Sequence, residues 1–367
     1  MNPRVLFVGR GRLRLPLPEW LQKKWDAVSD VLDYRVLNAG TGAGDPRFRM
    51  LPDSAFAFYS RLPSEILASL RAFPADAIIA SDPYIGAAAF LARRLARSNA
   101  RIIVEVHGDP RTFTRGYGSP ARKVLSPLTD GVSRYGIRHA DATRALSAFT
   151  SSLIEGIRKV PATLAFPTYS DLSAFYEPPV APVPDAQRVV FVAALEQYKN
   201  VDGLAEAWRR VAASLPDATL VVVGDGSRRA VIDRLVADLP RQVEHHPLLS
   251  PDRVALEIDS ARALVLPSWP EGLGRVVLEA FARGRTVVAT NAGGIRDIVS
   301  DGRDGILIPI ADTDALVLAL RRVLEDKELV VRLGAEARRT YEPWHQTSTE
   351  FASAYRELVD RALAGAR

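Results

Sequence analysis

Residues 263–282, ALVLPSWPEGLGRVVLEAFA, contain the unit from which we expect the fold to be built. The aliphatic run 263–266 predicts a short buried strand, and the prolines and glycines after it predict a turn. From Arg275 onward the pattern favours a helix, and a second aliphatic run at 286–289 predicts another strand. Strand, glycine turn, helix and strand together are the repeating unit of a parallel sheet covered by helices.

The same alternation extends over the whole chain. Further aliphatic runs stand between helical patterns, at residues 4–8, 77–80, 101–106, 188–192 and 218–223. Because 367 residues exceed one ordinary core, we expect an α/β protein with two Rossmann-like domains. We expect these domains to face each other across a cleft, with ligands at the carboxyl ends of the strands.

A proline-rich stretch suggests where the domains divide. Residues 177–185 contain four prolines, which cannot continue a helix or a central strand and predict a semi-rigid linker. We therefore predict a first domain at residues 1–178, a linker at 179–187 and a second domain at 188–345. Residues 346–367 contain one helical pattern, which we expect to pack back on the first domain.

Composition excludes several kinds of chemistry. The chain has no cysteine, so disulfides, thiolate metal sites and cysteine nucleophiles are excluded. No apolar run is long enough to span a membrane, and the amino terminus does not resemble a signal peptide. We expect a cytoplasmic protein, with peripheral contact to the inner face of a membrane as a further expectation.

The charge is unevenly distributed. Residues 1–180 carry a net +8 and residues 181–367 a net −3. A basic half is suited to an anionic partner such as a membrane surface, although solvated surface arginines explain the same count.

Two glycine turns could approach a phosphate. Residues 221–227, VVVGDGS, predict a strand that ends in a turn at Gly224 and Gly226, which leaves backbone N–H groups accessible. A dinucleotide fingerprint needs a third glycine where Arg229 stands, so a dehydrogenase is disfavoured. A tight strand-to-helix connection remains the alternative interpretation. The stretch that begins with Gly9 and Gly11 also lacks the third glycine of the fingerprint, because Arg14 stands at that position.

Two glutamates flank the turn in the opening stretch. Glu271 and Glu279 stand eight residues apart around Gly272–Leu273–Gly274, and this spacing resembles the E-x7-E signature of glycosyltransferase family four. The neighbourhood is similar as well: residues 266–268 (LPS), 293–297 (GGIRD) and 301–305 (DGRDG) resemble further motifs of that family. The alternative is that both glutamates are charges favoured near a helix start.

The resemblance implies a site and an activity. It implies the GT-B fold, with Glu279 holding ribose hydroxyls, Glu271 a sugar hydroxyl, and the amides of residues 272–274 the sugar or phosphate. It also implies that Lys199 holds the diphosphate and that no bound metal is needed, because a lysine and backbone amides stabilise the leaving group. An ordinary surface position is the alternative for Lys199.

One position departs from the family pattern. The family has an arginine five residues before the lysine, and Ala194 stands there in this chain. Losing a cation from a diphosphate site costs a few kcal/mol when the site is desolvated. The candidates for compensation are Arg10, Arg12, Arg14 and Arg275.

In the first half the resemblance is looser. His107 follows the run 101–106 and is similar to the histidine that the family places in its acceptor domain, which makes it a catalytic candidate with Lys199 and Glu271. A satisfied structural histidine is the alternative. Gly9 and Gly11 lie where the family has a loop of glycine amides near the donor phosphates, and we expect that loop to follow the first strand.

A basic, partly apolar segment follows at residues 111–139, with six Lys or Arg residues. Such a segment can lie on an anionic membrane and bring a lipid-linked acceptor to the site. A helix packed by one face on its own core is the more ordinary interpretation.

The resemblance thus implies a retaining glycosyltransferase that moves a sugar from a UDP- or GDP-sugar to a carbohydrate or lipid-linked hydroxyl. We expect no metal, no other cofactor and no nucleic-acid partner. Two alternatives remain: an epimerase of nucleotide sugars on the same fold, and a non-catalytic subunit that binds the donor.

Overall fold

The computed structural model describes residues 1–109 and 126–365, which form two compact units. The first unit comprises Met1–Asp171 with Gln346–Arg367, and the second comprises Leu172–His345. Each unit is built on one parallel sheet. The prediction of an α/β protein with two Rossmann-like domains is confirmed.

Up to residue 165 the first unit alternates strands and helices, except that its second and third strands follow each other directly. Its elements are β1 (Arg4–Arg14), α1 (Glu19–Val31), β2 (Asp33–Thr41), β3 (Phe48–Leu51), α2 (Ala55–Ala72), β4 (Ala77–Ala80), α3 (Pro83–Ala96), β5 (Arg101–Val106), α4 (Ser126–His139), β6 (Ala142–Ala145), α5 (Ala148–Arg158) and β7 (Leu164–Ala165). The strand order is β3-β2-β1-β4-β5-β6-β7, so the order reverses between β1 and β4.

Helix α2 illustrates how the sequence produces these layers. Ser54 caps its first turn, and the helix buries Phe58, Leu62, Ile66 and Leu70. Residues four apart lie on one face of a helix, so this spacing gives a continuous apolar stripe against the sheet.

The second unit repeats the plan with six strands. Its elements are α6 (Ser173–Tyr176), β8 (Arg188–Val192), α7 (Val201–Ser214), β9 (Thr219–Val223), α8 (Arg229–Asp238), β10 (Val243–His246), α9 (Pro251–Asp259), β11 (Ala263–Leu266), α10 (Arg275–Ala282), β12 (Thr286–Thr290), β13 (Gly305–Ile308), α11 (Thr313–Glu325) and α12 (Lys327–Tyr341). The strand order is β10-β9-β8-β11-β12-β13, and it reverses between β8 and β11.

The proline-rich segment is part of the second unit, so the division falls before the boundary predicted at residue 178 and the linker predicted at 179–187. Buried arginines hold the segment in place: Arg283 donates to the carbonyls of Pro178 (2.8 Å) and Pro179 (2.7 Å), and Arg285 to that of Pro182 (2.9 Å). Proline has no N–H but keeps its carbonyl, so a proline-rich chain presents acceptors that guanidinium donors satisfy.

The last helix, α13 (Ser348–Ala364), belongs to the first unit. A capping box between Thr347 and Glu350 starts it, and Phe351 and Tyr355 lie buried on its inner face. Among the described residues, no helix is both long and apolar enough to cross a bilayer.

Candidate functional site

In the second unit the conformation of the turn after β11 depends on two glycines, Gly274 within the turn and Gly294 packed against it. The turn ends at Gly274, which has φ 78° and stands immediately before α10. The short 3-10 turn Gly293–Asp297 packs against it, and the Gly294 N–H donates to the carbonyl of Glu271 (2.8 Å). A Cβ at Gly294 would lie 2.1 Å from the carbonyl oxygen of Gly272, so only glycine permits this approach.

Lys199 reaches this turn from the neighbouring strand. It ends the 3-10 turn Gln197–Lys199 after β8, and its Nζ lies 2.7 Å from Oε2 of Glu271. The two side chains are only 10% and 13% exposed, so the pair is largely shielded from water. Because β8 and β11 are neighbours where the strand order reverses, the contact sits at the position where α/β sheets bind ligands.

The second oxygen of Glu271 has a different environment. Oε1 is buried and makes no hydrogen bond to the residues that the structure describes. Buried polar atoms are almost always hydrogen-bonded in folded proteins, so an acceptor without a donor here indicates a ligand or water partner. A sugar hydroxyl is a donor of the right kind.

Glu279 lies on the helix that follows. It is 4% exposed, and its Oε1 lies 2.9 Å from Nε of Arg275, one turn earlier on α10. Burial raises the pKa of Glu279, and the charge and hydrogen bond of Arg275 oppose that rise. The structure therefore joins Lys199 to Glu271 at the turn of residues 272–274 and places Glu279 on the helix that follows this turn.

Gly224 and Gly226 serve a packing purpose. A Cβ at Gly224 would lie 1.9 Å from the carbonyl oxygen of Ala193, and one at Gly226 would lie 2.6 Å from that of Leu195. Glu196 closes the same junction by accepting a hydrogen bond from the Ser227 hydroxyl (2.6 Å). These contacts account for both glycines, and their role toward a phosphate stays a prediction.

The arginines predicted to compensate for the missing cation at Ala194 differ in the contacts that their side chains make. Arg12 pairs with Asp53 (2.7 Å), and Arg10 lies over the Tyr59 ring (5.5 Å) in the first unit. Arg275 stands directly after the turn, and its side chain is 63% exposed although it pairs with Glu279. In the second unit Arg275 is therefore the candidate next to the glutamates.

In the first unit, the expectation that Gly9 and Gly11 lie in a loop is wrong. Strand β1 continues to Arg14, because pairing with β2 resumes at Leu13 after an irregularity that begins at Gly9. A Cβ at Gly9 would lie 2.4 Å from Oδ1 of Asn38, and the Asn38 amide donates to the Gly11 carbonyl. Packing explains Gly9, and the donor-binding role of both glycines stays a prediction.

His107 directly follows β5, and its side chain is 38% exposed. Its Nε2 lies 3.1 Å from Oε2 of Glu105, which is 4% exposed. The other oxygen of Glu105 accepts from Arg144 (2.6 Å) and from the hydroxyl of Tyr355 (2.5 Å). We call these residues, Glu105, His107, Arg144 and Tyr355, the histidine cluster.

The charged and polar neighbours of Glu105 in the histidine cluster determine that this carboxyl group is ionised. Burial by itself would raise the pKa of Glu105, but the Arg144 charge and the contacts with His107 and Tyr355 outweigh it and hold that pKa well below its usual range. Arg144 is 1% exposed and also donates to the carbonyl of Pro167 (2.7 Å). Glu105 is therefore an ionised acceptor.

Sequence reasoning missed Glu105, Arg144 and Tyr355. One signal was present, because Glu105 is an acidic residue inside an otherwise aliphatic strand. Its partners lie 39 and 250 residues away, and no local pattern connects them.

Part of the basic segment predicted at 111–139 lies outside the described residues. The described part is α4, which ends in Arg138 and His139 and exposes Leu128 (68%) and Tyr135 (48%). A cavity of about 440 Å³ lies between α4 and α5, lined by Gly131, Arg134, Tyr135, Arg138, His139, Gly156, Ile157 and Lys159.

Comparisons with known proteins agree with this architecture. The model for "Glycosyl transferases group 1" matches residues 177–340, and the model for "Glycosyl transferase 4-like domain" matches residues 9–167. Together the two matches cover most of the chain, one in each unit. The chain belongs to the group 1 glycosyltransferases, which have the GT-B fold.

Individual relatives are distant. The chain is 24% identical over 261 residues to N-acetyl-alpha-D-glucosaminyl L-malate synthase of Bacillus anthracis, covering 68% of this chain and 65% of that protein. Alignments with such curated relatives span from 30% to 69% of the relatives' own lengths.

Solved structures share the fold over nearly the full chain. Sucrose-phosphate synthase from Thermosynechococcus elongatus superposes with a TM-score of 0.76 at 19% identity, covering 97% of this chain and 99% of that one. Anabaena HepE in complex with UDP-glucose superposes with a TM-score of 0.73 at 16% identity, covering 98% and 100%.

Proposed function

We propose that this chain transfers a sugar from a nucleotide-diphosphate sugar to a hydroxyl acceptor, with retention of anomeric configuration. The observation that carries the proposal is the shielded 2.7 Å pair of Lys199 and Glu271 beside the turn at residues 272–274. A cation, a carboxylate with one buried unpartnered oxygen and a glycine turn at a helix start suit a diphosphate joined to a sugar.

Each residue has a chemical role in this proposal. Glu279 accepts hydrogen bonds from the ribose hydroxyls, and Oε1 of Glu271 accepts one from the donor sugar. Lys199, the amides of residues 272–274 and the exposed guanidinium of Arg275 stabilise the diphosphate, in place of a metal ion and of the missing arginine at 194. His107 acts on the sugar during transfer.

The transfer itself needs no protein nucleophile. The acceptor oxygen forms its bond to the anomeric carbon on the face from which the diphosphate departs. The bond from that carbon to the diphosphate oxygen breaks, and the leaving diphosphate takes the hydroxyl proton. The protein's contribution is to position the donor and to stabilise the charge on the leaving group.

UDP is the nucleotide that we expect, because HepE, which shares the fold, is found in complexes with UDP and UDP-glucose. Calorimetric titration of UDP, GDP and ADP, with EDTA present, tests the donor site and its independence from metal. We expect Glu279→Ala to weaken binding about 10- to 100-fold, which corresponds to about 1.5–3 kcal/mol for a hydrogen bond to a charged group.

A matched control removes an exposed glutamate from the same unit. Glu325 pairs with Arg321 on the surface of α11, and Glu325→Ala should leave nucleotide binding unchanged. If no nucleotide binds, or if binding survives in Glu279→Ala, the donor site is misassigned.

Product analysis separates the remaining alternatives. Incubation with UDP-sugars and a panel of hydroxyl acceptors should give a glycosylated acceptor that retains the anomeric configuration. An epimerised nucleotide sugar without acceptor would favour the epimerase, and nucleotide binding without product would favour the non-catalytic subunit.

We also propose that the acceptor is presented at an anionic surface, such as a lipid-linked acceptor at the inner face of a membrane. Helix α4 supports this, because Leu128 and Tyr135 are exposed on it and Tyr135 lines the same cavity as Arg134 and Arg138. Apolar and cationic side chains on one helix face favour adsorption to anionic lipid.

Cosedimentation with phosphatidylglycerol–phosphatidylcholine vesicles tests this contact. We expect binding that falls steeply at high salt and weakens in a variant with Arg134→Ala and Arg138→Ala. Equal binding to purely zwitterionic vesicles, or none at low salt, contradicts it.

A further inference from the structure

The histidine cluster joins His107 to a buried carboxylate, and its geometry determines which ring nitrogen is available. Glu105 is ionised and therefore only accepts hydrogen bonds, so the Nε2 that lies 3.1 Å from its Oε2 must carry a proton. When the imidazole is neutral, Nδ1 is then the acceptor.

The carboxylate itself is held rigidly. Oε1 of Glu105 accepts from Arg144 and from Tyr355, whose hydroxyl also lies 2.9 Å from the Arg144 guanidinium. Arg144 is surrounded by aromatic rings, with Phe166 at 4.0 Å and Tyr355 at 5.1 Å. The side chains of Arg144 and Glu105 are 1% and 5% exposed, so the carboxylate has little freedom to rotate.

We propose that Glu105 is a positioning residue, which fixes His107 as the Nε2–H tautomer and presents Nδ1 as the nitrogen that acts on the substrate. The proposal rests on the function proposed above for its kinetic consequence, but the tautomer itself is independent of turnover. Orienting a histidine through its second nitrogen is an established way to set its tautomer and direction.

Glu105→Gln should reverse the tautomer. Both donors, Arg144 and Tyr355, approach the Oε1 position, so the amide oxygen of the new side chain is expected to remain there. Its NH₂ group then faces Nε2 of His107, which must become an acceptor, and the proton moves to Nδ1. The substitution thus preserves the size of the side chain at position 105 but exchanges the donor and acceptor nitrogens of His107.

Nitrogen-15 NMR of the full chain at mildly alkaline pH reads the tautomer directly. The chain has five histidines, and the signal lost in His107→Gln assigns the relevant one. We expect Nε2–H in the wild type and Nδ1–H in Glu105→Gln. Nδ1–H in the wild type, or no change in the variant, would overturn the proposal. If Glu105→Gln does not fold, the wild-type tautomer alone decides.

A double-mutant cycle in the transfer assay tests the functional consequence. Glu105→Gln should lower kcat at least about tenfold with little change in the donor KM. Combined with His107→Gln it should cost no more than His107→Gln alone, because Glu105 acts through that ring. Additive losses would instead indicate a general structural role and refute the proposal.

The control exchanges another carboxylate for its amide in the same unit. Asp141 directly precedes β6 and pairs with Arg93 and Arg101. It therefore lies at the amino ends of the parallel strands β5 and β6, whereas His107 follows the carboxyl end of β5. Asp141→Asn should leave the His107 tautomer and kcat unchanged. If the wild type transfers no sugar, the proposed function fails, whereas the NMR result still decides the tautomer.

Discussion

Gly294→Ala gives a sharp test of the donor turn, because the glycine lies against the turn without belonging to it. An added Cβ would stand 2.1 Å from the Gly272 carbonyl oxygen and 2.9 Å from Leu273 Cα. Real Cβ contacts essentially never fall below 3.0 Å, so the turn must retreat by about 1 Å. Overpacking of this kind costs about 1–3 kcal/mol of stability.

The displacement should affect function more than stability. If the amides of residues 272–274 hold the donor, a shift of about 1 Å should lower the transfer rate by about 10²-fold. Nucleotide titration and initial rates measure this, with the melting temperature as the test of folding. Wild-type affinity and rate in a folded Gly294→Ala protein would refute the role of the turn.

Gly156→Ala is the matched control. Gly156 is an exposed residue of helix α5, and nothing stands within 4 Å of its added Cβ. The substitution should leave nucleotide binding unchanged and should stabilise the helix by about 0.5–1 kcal/mol.

Three further predictions concern the buried charges. Lys199→Met should destabilise the protein by about 3 kcal/mol, as measured by denaturant unfolding, whereas adding Glu271→Leu should restore most of the loss because it removes the unpaired buried carboxylate. Burial raises the pKa of Glu279 above its ordinary value of 4.5. The protonated side chain therefore stabilises the folded protein, and this stabilisation is complete below pH 4.5 and is lost as the pH rises through the raised pKa. The unfolding free energy of the wild type relative to Glu279→Gln should therefore fall as the pH rises above 4.5, and a constant difference would contradict that environment. Arg283→Met should expose the 175–185 segment to limited proteolysis, because the buried guanidinium binds Asp259 (2.6 Å) and two proline carbonyls; unchanged cleavage would show that the arginine does not hold the segment.

The turn at residues 271–274 was predictable because its parts are contiguous in sequence. A strand, a glycine turn and a helix follow each other within residues 263–282, so local rules place Glu271 before the helix and Glu279 on it. The approach of Lys199 was implied by the resemblance, and its physical cause is the pairing of β8 with β11. Adjacent parallel strands bring their carboxyl ends to one edge of the sheet.

Local rules failed where tertiary contacts override them. The glycines at positions 9 and 11 predicted a loop, but β1 continues past them because β2 offers a partner beyond the irregularity. The prolines at 178–184 predicted a linker, but the buried Arg283 and Arg285, between α10 and β12, donate hydrogen bonds to proline carbonyls and fix the segment on the second unit. In both cases the partners, strand β2 and the buried arginines, lie far away in sequence from the stretch whose structure they determine.

The histidine cluster shows why a motif alone underdetermines a site. The sequence around His107 predicts a histidine at a strand end, yet a ring nitrogen acquires its role from the group that holds the other nitrogen. Here that group is a carboxylate on the same strand, and its ionisation depends on Arg144 from β6 and Tyr355 from α13. The chemistry of His107 is therefore set by residues that only the folded chain brings together, including one on the helix that returns to the first unit from the end of the sequence.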